Sequence, residues 1–172
     1  MKILCYCLFI VLCSSCSQQV FIVRHAEKAA VPKGATRMEA SDPPLSEAGL
    51  QRAAALAAAL KNKKIKQVYS TGYQRTVSTV QPVADAAGVP VQRYHPSADS
   101  MILFIQKIKS VKKGNILVAG HSNTVDDIAN RLAGQQVIKG DLDETVYDRL
   151  FILRKKKNGY AFTEKKYGAP SL

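Results

Sequence analysis

Three short segments of the chain carry side chains of use to chemistry. These are Arg24-His25 at the end of the apolar run Val20 to Val23, Ser70 through Arg75 after Ile65 to Tyr69, and Gly120-His121-Ser122-Asn123 after Asn115 to Ala119. Each apolar run reads as a buried strand, and each polar cluster begins where its strand stops. In open α/β sheets ligands bind beyond the carboxyl ends of the strands, so the three clusters are expected to meet in one crevice. Two arginines, Arg24 and Arg75, converging with two histidines, His25 and His121, make a phosphate pocket. The planar fork of arginine matches phosphate oxygens in pairs. Helix N-termini after positions 71 and 122 would add backbone N–H donors and positive dipole ends. Taken singly, each of these residues has a structural reading, as a satisfied histidine or a surface ion-pair member, and only their joint placement argues for chemistry. His95, before Pro96, lacks such company and reads as structural.

Periodicity supplies the elements that must hold these residues. Ala29 to Pro44 is rich in Ala, Pro, Gly and Asp without periodicity and is expected to be a loop able to cover the end of the first strand. Ser46 reads as an N-cap, followed by Leu50, Ala53, Ala54, Ala57 and Leu60 at helical spacing. Val77, Val80, Val83, Ala84 and Ala87 predict a second helix that Pro82 kinks or restarts and Gly88 ends. Val89 to Tyr94 predicts a short strand, and Met101, Ile102, Ile105 and Ile108 a helix over about Ala98 to Val111. Val125, Ile128, Ala129 and Leu132 mark a last helix, closed by Gly134. Arg149 to Leu153 and Tyr160 to Phe162 flank Asn158-Gly159, a hairpin signature. Strands alternating with helices predict an α/β fold, a three-layer α/β/α sandwich with a largely parallel central sheet and a C-terminal antiparallel hairpin. One domain is expected over residues 20–168, with no repeat and no second domain.

The ordered set Arg24-His25-Ala26-Glu27, Pro44-Leu45-Ser46-Glu47-Ala48-Gly49 before an Ala-rich helix, Ser70 through Arg75-Thr76, and Gly120-His121-Ser122-Asn123 resembles the histidine phosphatase superfamily. The similarity is to the branch that includes cofactor-dependent phosphoglycerate mutases and small phosphohistidine phosphatases, and it implies the phosphoglycerate mutase-like sandwich. It further implies that His25 is the nucleophile, forming a phosphohistidine, and that Arg24, Arg75 and His121 bind and neutralise the phosphoryl group, with Asn123 among the substrate-binding residues. Physics agrees, because a neutral imidazole nitrogen can attack in line when its other nitrogen is held as a donor. Cations then stabilise charge on the equatorial oxygens, and water cleaves the P–N bond.

The pattern departs from the family in its acid. Members that cleave alkyl phosphates often carry a glutamate after the helix that begins near Arg75, whereas here Asp99 is the only acidic residue between Gly88 and Ala119. Glu27 and Asp42 are the other candidate general acids; alternatively Glu27 orients neighbouring side chains and Asp42 shapes its loop. A missing acid favours good leaving groups, such as an imidazole or an aryl oxide, over alkoxides. The expected activity is hydrolysis of phosphomonoesters or phosphoramidates on a small molecule or a phosphoprotein, with mutase activity the least favoured. The alternative is a catalytically idle binder of phosphorylated or anionic ligands in the same pocket; a third, weaker reading is a basic surface lipoprotein that docks to anionic polymers. No cofactor is implied, and no metal, since ligand spacing of the His-x-x-x-His kind is missing.

The 172 residues, 47% hydrophobic and 22% charged, suit one globular domain with a real core. Lys2 precedes an apolar run from Ile3 to Cys13 that is too short to span a bilayer and ends in small residues, in the manner of a secretory signal. Leu12-Cys13-Ser14-Ser15-Cys16 resembles a bacterial lipobox, with residues 1–15 the signal and Cys16 the lipidated first mature residue. Plain secretion and a cytoplasmic chain with a buried N-terminal segment are the alternatives. The expected location is periplasmic or anchored at the outer membrane. All four cysteines lie in this segment, so no disulfides staple the domain. The net charge of +12 comes from lysine clusters spread along the chain. No nucleic-acid motif accompanies them, and a solvated basic surface is the reading, with attraction to anionic substrate or lipid as the sharper version. Oligomeric state leaves no mark in the sequence.

Overall fold

The computed structural model describes residues 17–171. Six strands form one sheet in the order β3-β2-β4-β1-β5-β6. They are β1 (Gln19–Arg24), β2 (Ile65–Ser70), β3 (Val91–Arg93), β4 (Asn115–Gly120), β5 (Arg149–Lys156) and β6 (Gly159–Lys166). β1, β4, β2 and β3 run parallel, whereas β5 and β6 are antiparallel. Five helices connect them: α1 (Arg37–Ser41), α2 (Glu47–Leu60), α3 (Gln74–Ala87), α4 (Ala98–Ser110) and α5 (Val125–Ala133). This is the expected α/β architecture, with its mostly parallel sheet and terminal hairpin.

Alternation along the central strands builds two cores. Val20 and Ile22 of β1 with Ile116 and Val118 of β4 pack under Met101, Phe104, Ile108, Ile128 and Leu132 of α4 and α5. Phe21 and Val23, with Leu117 and Ala119, face Leu56, Leu60, Val80 and Val83 of α2 and α3. Because both faces are covered, these strands are continuously apolar rather than alternating. Each fully buried aliphatic side chain contributes about 1.5–3 kcal/mol. The two covered faces anchor the strand ends that carry the site.

Local chemistry shifts several boundaries. The stretch expected as a loop from Ala29 to Pro44 contains α1, whose turn closes through a capping box in which Thr36 and Glu39 satisfy each other's backbone N–H. In α2 the buried stripe is Gly49, Arg52, Ala53, Leu56 and Leu60; Leu50, expected inside, is 52% exposed. Arg52 rotates the helix because its guanidinium has buried partners. Ile102 of α4 is likewise exposed. α3 runs through Pro82 without restarting and ends at Gly88 in the left-handed region. β3 is shorter than expected, starting after Pro90, and β5 and β6 are longer. Their turn is Lys157-Asn158, with Gly159 at φ +101° opening β6 instead of sitting in the turn.

Candidate active site

Register brings the two histidines together. β1 and β4 pair in parallel with Arg24 opposite Gly120, so the next residue of each strand emerges beside the other. The His25 and His121 rings lie 5.3 Å apart between centroids, at 65°. The chain leaves β1 for helices on one face and leaves β4 for α5 on the other, which makes this the sheet's switch point, where a crevice opens. On the far side of β4, Ser70 is opposite Ala119, which sets Thr71 Oγ1 3.0 Å from His121 Nε2. Gly120 lets the end of β4 pack against Thr124 and Tyr94, since a Cβ there would fall 2.7 Å from Thr124 Oγ1 and 3.0 Å from the Tyr94 hydroxyl.

The imidazoles are prepared differently. His25 Nδ1 is 2.8 Å from the Ala26 carbonyl, which can only accept, so Nδ1 carries the proton and Nε2 keeps its lone pair. Burial first, and then the positive charges of Arg24 and Arg75, lower the His25 pKa to about 4. The same causes, with Arg75 ahead of Arg24, take His121 to about 4. Thr71 Oγ1 donates to Thr76 Oγ1 at 3.0 Å and offers its lone pair to His121 Nε2. The Ala26 N–H donates to Thr79 Oγ1 (2.8 Å), whose hydroxyl donates to the Arg75 carbonyl (2.8 Å), tying the His25 loop to α3.

Both arginines are held from behind. Arg24, 2% exposed, donates through Nη1 to the carbonyls of Asp143 (2.8 Å) and Val146 (3.2 Å), and its guanidinium stacks 4.3 Å over Tyr147. Arg75 donates through Nη1 to the Ser41 carbonyl (3.2 Å) and to Asp42 (3.3 Å), and lies 4.4 Å over Tyr73. Tyr73 in turn meets His121 edge-on at 5.1 Å, and Tyr147 lies 6.1 Å from His25. The Nε atoms of Arg24 and Arg75 are buried and have no hydrogen-bond partner among the described residues. An orphaned buried donor is costly. His25, Arg75, His121 and Asn123 line one cleft of about 360 Å³.

The two candidate acids are committed elsewhere. Glu27 accepts from Arg52 Nε (2.9 Å) and Nη2 (2.6 Å); although burial pushes its pKa up, the Arg52 hydrogen bonds hold it below the ordinary value. Asp42 accepts from the Gln74 N–H with both oxygens (3.0 Å each) and pairs with Arg75, which makes it the cap of α3. Asp99 is exposed in the first turn of α4. His95 is exposed, and its Nδ1 accepts from the Ser97 N–H at 3.3 Å. A third carboxylate, unforeseen from sequence, reaches the cleft: Glu144, 2.5 Å from both Arg24 Nη2 and Ser122 Oγ. Tyr73 and Tyr147 were also without an assigned role. The available signal was the acidic run Asp141, Asp143, Glu144 directly before β5, conspicuous in so basic a chain. Cys16, the lipidation candidate, lies outside the described residues.

Residues 20–96 match the family model of the histidine phosphatase superfamily, branch 1. The matched segment carries Arg24, His25 and Arg75, and over it the chain is similar to this superfamily. His121 lies beyond the matched segment, and it is the β1–β4 register that returns it to His25. Solved structures share the fold. The protein histidine phosphatase SixA in complex with tungstate superposes with a TM-score of 0.66 at 19% identity, over 87% of this chain and 97% of that one. A mycobacterial glucosyl-3-phosphoglycerate phosphatase gives 0.63 at 12% identity, over 89% and 99%. An α-ribazole-5'-phosphate phosphatase candidate from Escherichia coli gives 0.62 at 16%, over 89% and 98%. No curated protein matches the sequence. The likeness to this superfamily supports an enzyme of the phosphatase or mutase type and suggests phosphorylated substrates.

Proposed function

We propose that this chain hydrolyses phosphomonoesters or phosphoramidates through a phosphohistidine on His25. The observation that carries the reading is a neutral imidazole, its Nδ1 proton given to the Ala26 carbonyl, set against a second imidazole and two arginines with unpartnered buried Nε–H groups. The His25 Nε2 lone pair attacks phosphorus, and the bond to the leaving oxygen or nitrogen breaks with its electron pair going to that atom. Arg24, Arg75 and His121 take the spreading negative charge, with Asn123 at the rim. Water then attacks phosphorus, the P–N bond breaks with its electron pair returning to His25 Nε2, and the proton lost by the water passes through solvent to the released leaving group. The rim residues Tyr73, Asn123 and Glu144 are exposed, so water reaches the intermediate, which favours hydrolysis over mutase transfer.

With Glu27 bound to Arg52, Asp42 capping α3 and Glu144 bound to Arg24 and Ser122, each of these carboxylates already has partners, and none is poised to protonate an alkoxide. Aryl phosphates and phosphoramidates are therefore the proposed better substrates. Mass spectrometry of acid-free quenched enzyme after incubation with p-nitrophenyl phosphate and with a phosphoramidate should find phosphate on His25 and none in His25→Asn. No turnover and no phosphoenzyme, alongside tight phosphate binding, would establish the idle binder instead. We also propose, on the sequence alone, that residues 1–15 are a lipoprotein signal and that Cys16 anchors an exported protein.

A further inference from the structure

Glu144 occupies two donors at the cleft, Arg24 and Ser122. Its Oε2 lies 2.5 Å from Arg24 Nη2 and its Oε1 2.5 Å from Ser122 Oγ, joining the ends of β1 and β4 across the mouth of the cleft. The two partners of the ion pair are unequal: Arg24 is 2% exposed, whereas Glu144 is 69% exposed. Arg24 keeps its place without the carboxylate, through the carbonyls of Asp143 and Val146 and the ring of Tyr147. Glu144 can therefore swing into solvent while its cation stays put. The neighbouring Asp143 carboxylate is occupied by the Thr145 N–H and hydroxyl (2.8 and 2.7 Å), so it does not replace Glu144. The other charged or titratable groups facing Glu144 are Lys28, Tyr73 and His121 on the cleft side, with Arg75 beyond His121, and Glu27, Arg52 and Tyr147 on its other side.

We propose, resting on the phosphatase reading above, that Glu144 is a specificity-determining carboxylate that holds Arg24 and Ser122 in competition with the incoming phosphoryl group, and so admits a singly charged phosphoryl in preference to a doubly charged one. A dianion on Arg24 meets one more unit of repulsion from Glu144 than a monoanion does, unless it drives the carboxylate out. At contact distances near the surface that extra charge is worth on the order of tenfold in affinity. The hydrogen bond from Ser122 and the charge of Arg24 hold the Glu144 pKa below the usual carboxylate range, which suits a fixed anion and not a proton donor. The substrates so favoured carry one charge on phosphorus: zwitterionic or monoanionic phosphoramidates, and monoesters below their second ionisation, at about pH 6.

Calorimetric titration with inorganic phosphate tests this in the full chain and in Glu144→Gln, which keeps the side chain's reach but not its charge. At about pH 8.5 the ligand is a dianion and at about pH 5 a monoanion, and both histidines, with pKa about 4, stay mostly neutral at either. Glu144→Gln should tighten phosphate on the order of tenfold at the higher pH and by less than about threefold at the lower. Equal gains at both, or weaker binding, would overturn the proposal and make Glu144 a positioning residue for Arg24. So would loss of alkyl phosphate turnover with p-nitrophenyl phosphate turnover kept, the mark of a proton donor. Because the titration needs no turnover, the charge-dependent gain without any phosphohistidine would sink the phosphatase reading alone. Phosphate binding by neither protein would sink both.

Discussion

Burial and two neighbouring guanidiniums strip both imidazoles of their extra protons well below neutrality, and only an unprotonated Nε2 can attack phosphorus. On the proposed mechanism, the cations that would bind the phosphoryl group also keep the His25 lone pair free. Titration of the ring protons by NMR should place the His25–His121 pair near 4, with no step near 6.5. The sign follows from the cause: Arg24→Met and Arg75→Met each remove a positive charge and should move the His25 midpoint upward. A His25 midpoint near 6.5 in the unaltered chain would refute this account of the nucleophile. Tyr73 and Tyr147 act at the same scale, each offering a ring face to one arginine, worth about 0.5–2 kcal/mol apiece.

At the level of elements, the start of α2 is what fixes the loop after β1. The Glu27 carbonyl accepts from the Ser46 N–H at 2.9 Å, and a Cβ on Gly49 would stand 2.2 Å from that same oxygen. Gly49 is there because helix and loop touch backbone to backbone. Gly49→Ala must push Glu27 away, and with it the segment bearing His25; we expect it to lower stability by about 1–3 kcal/mol in urea unfolding and to weaken phosphate binding. An unchanged unfolding midpoint would count against the contact. The strands and their polar ends were legible in sequence because they are apolar runs broken by Arg, His and Gly, and so was the pairing of His25 with His121 at one crevice. What escaped reading was nonlocal. Arg52 enters the core only because Glu27 and the carbonyls of Tyr167 and Ala169 wait for it, and no periodicity announces partners so distant in the chain. Asp42 caps a helix that starts far downstream, and Glu144 depends on the path of a segment without regular structure.

The molecule as a whole is a basic domain whose net charge of +12 favours anionic ligands at a distance. No helix among the described residues is long and apolar enough to cross a membrane, so attachment would fall to the proposed acyl chains on Cys16. Expressed with its full N-terminal segment in a bacterial host, the protein should partition into the detergent phase of Triton X-114, and Cys16→Ala should move it to the aqueous phase; aqueous partitioning of the unaltered chain would dismiss the anchor. The edge strand β6 is dense in charge, with Glu164, Lys165 and Lys166, which discourages other chains from pairing there. Next to it lies the reversal of chain direction between β1 and β5. Since β5 starts at the end of the sheet where β1 and β4 finish, residues 134–148 must travel back from the foot of α5 to that end, delivering Glu144 and Tyr147 on arrival. That passage thereby shapes the cleft from outside the sheet: exchanging it would replace the Asp143 and Val146 carbonyls and the Tyr147 ring that hold Arg24, and would re-tool the cleft through Arg24 while the β1–β4 register stays as it is.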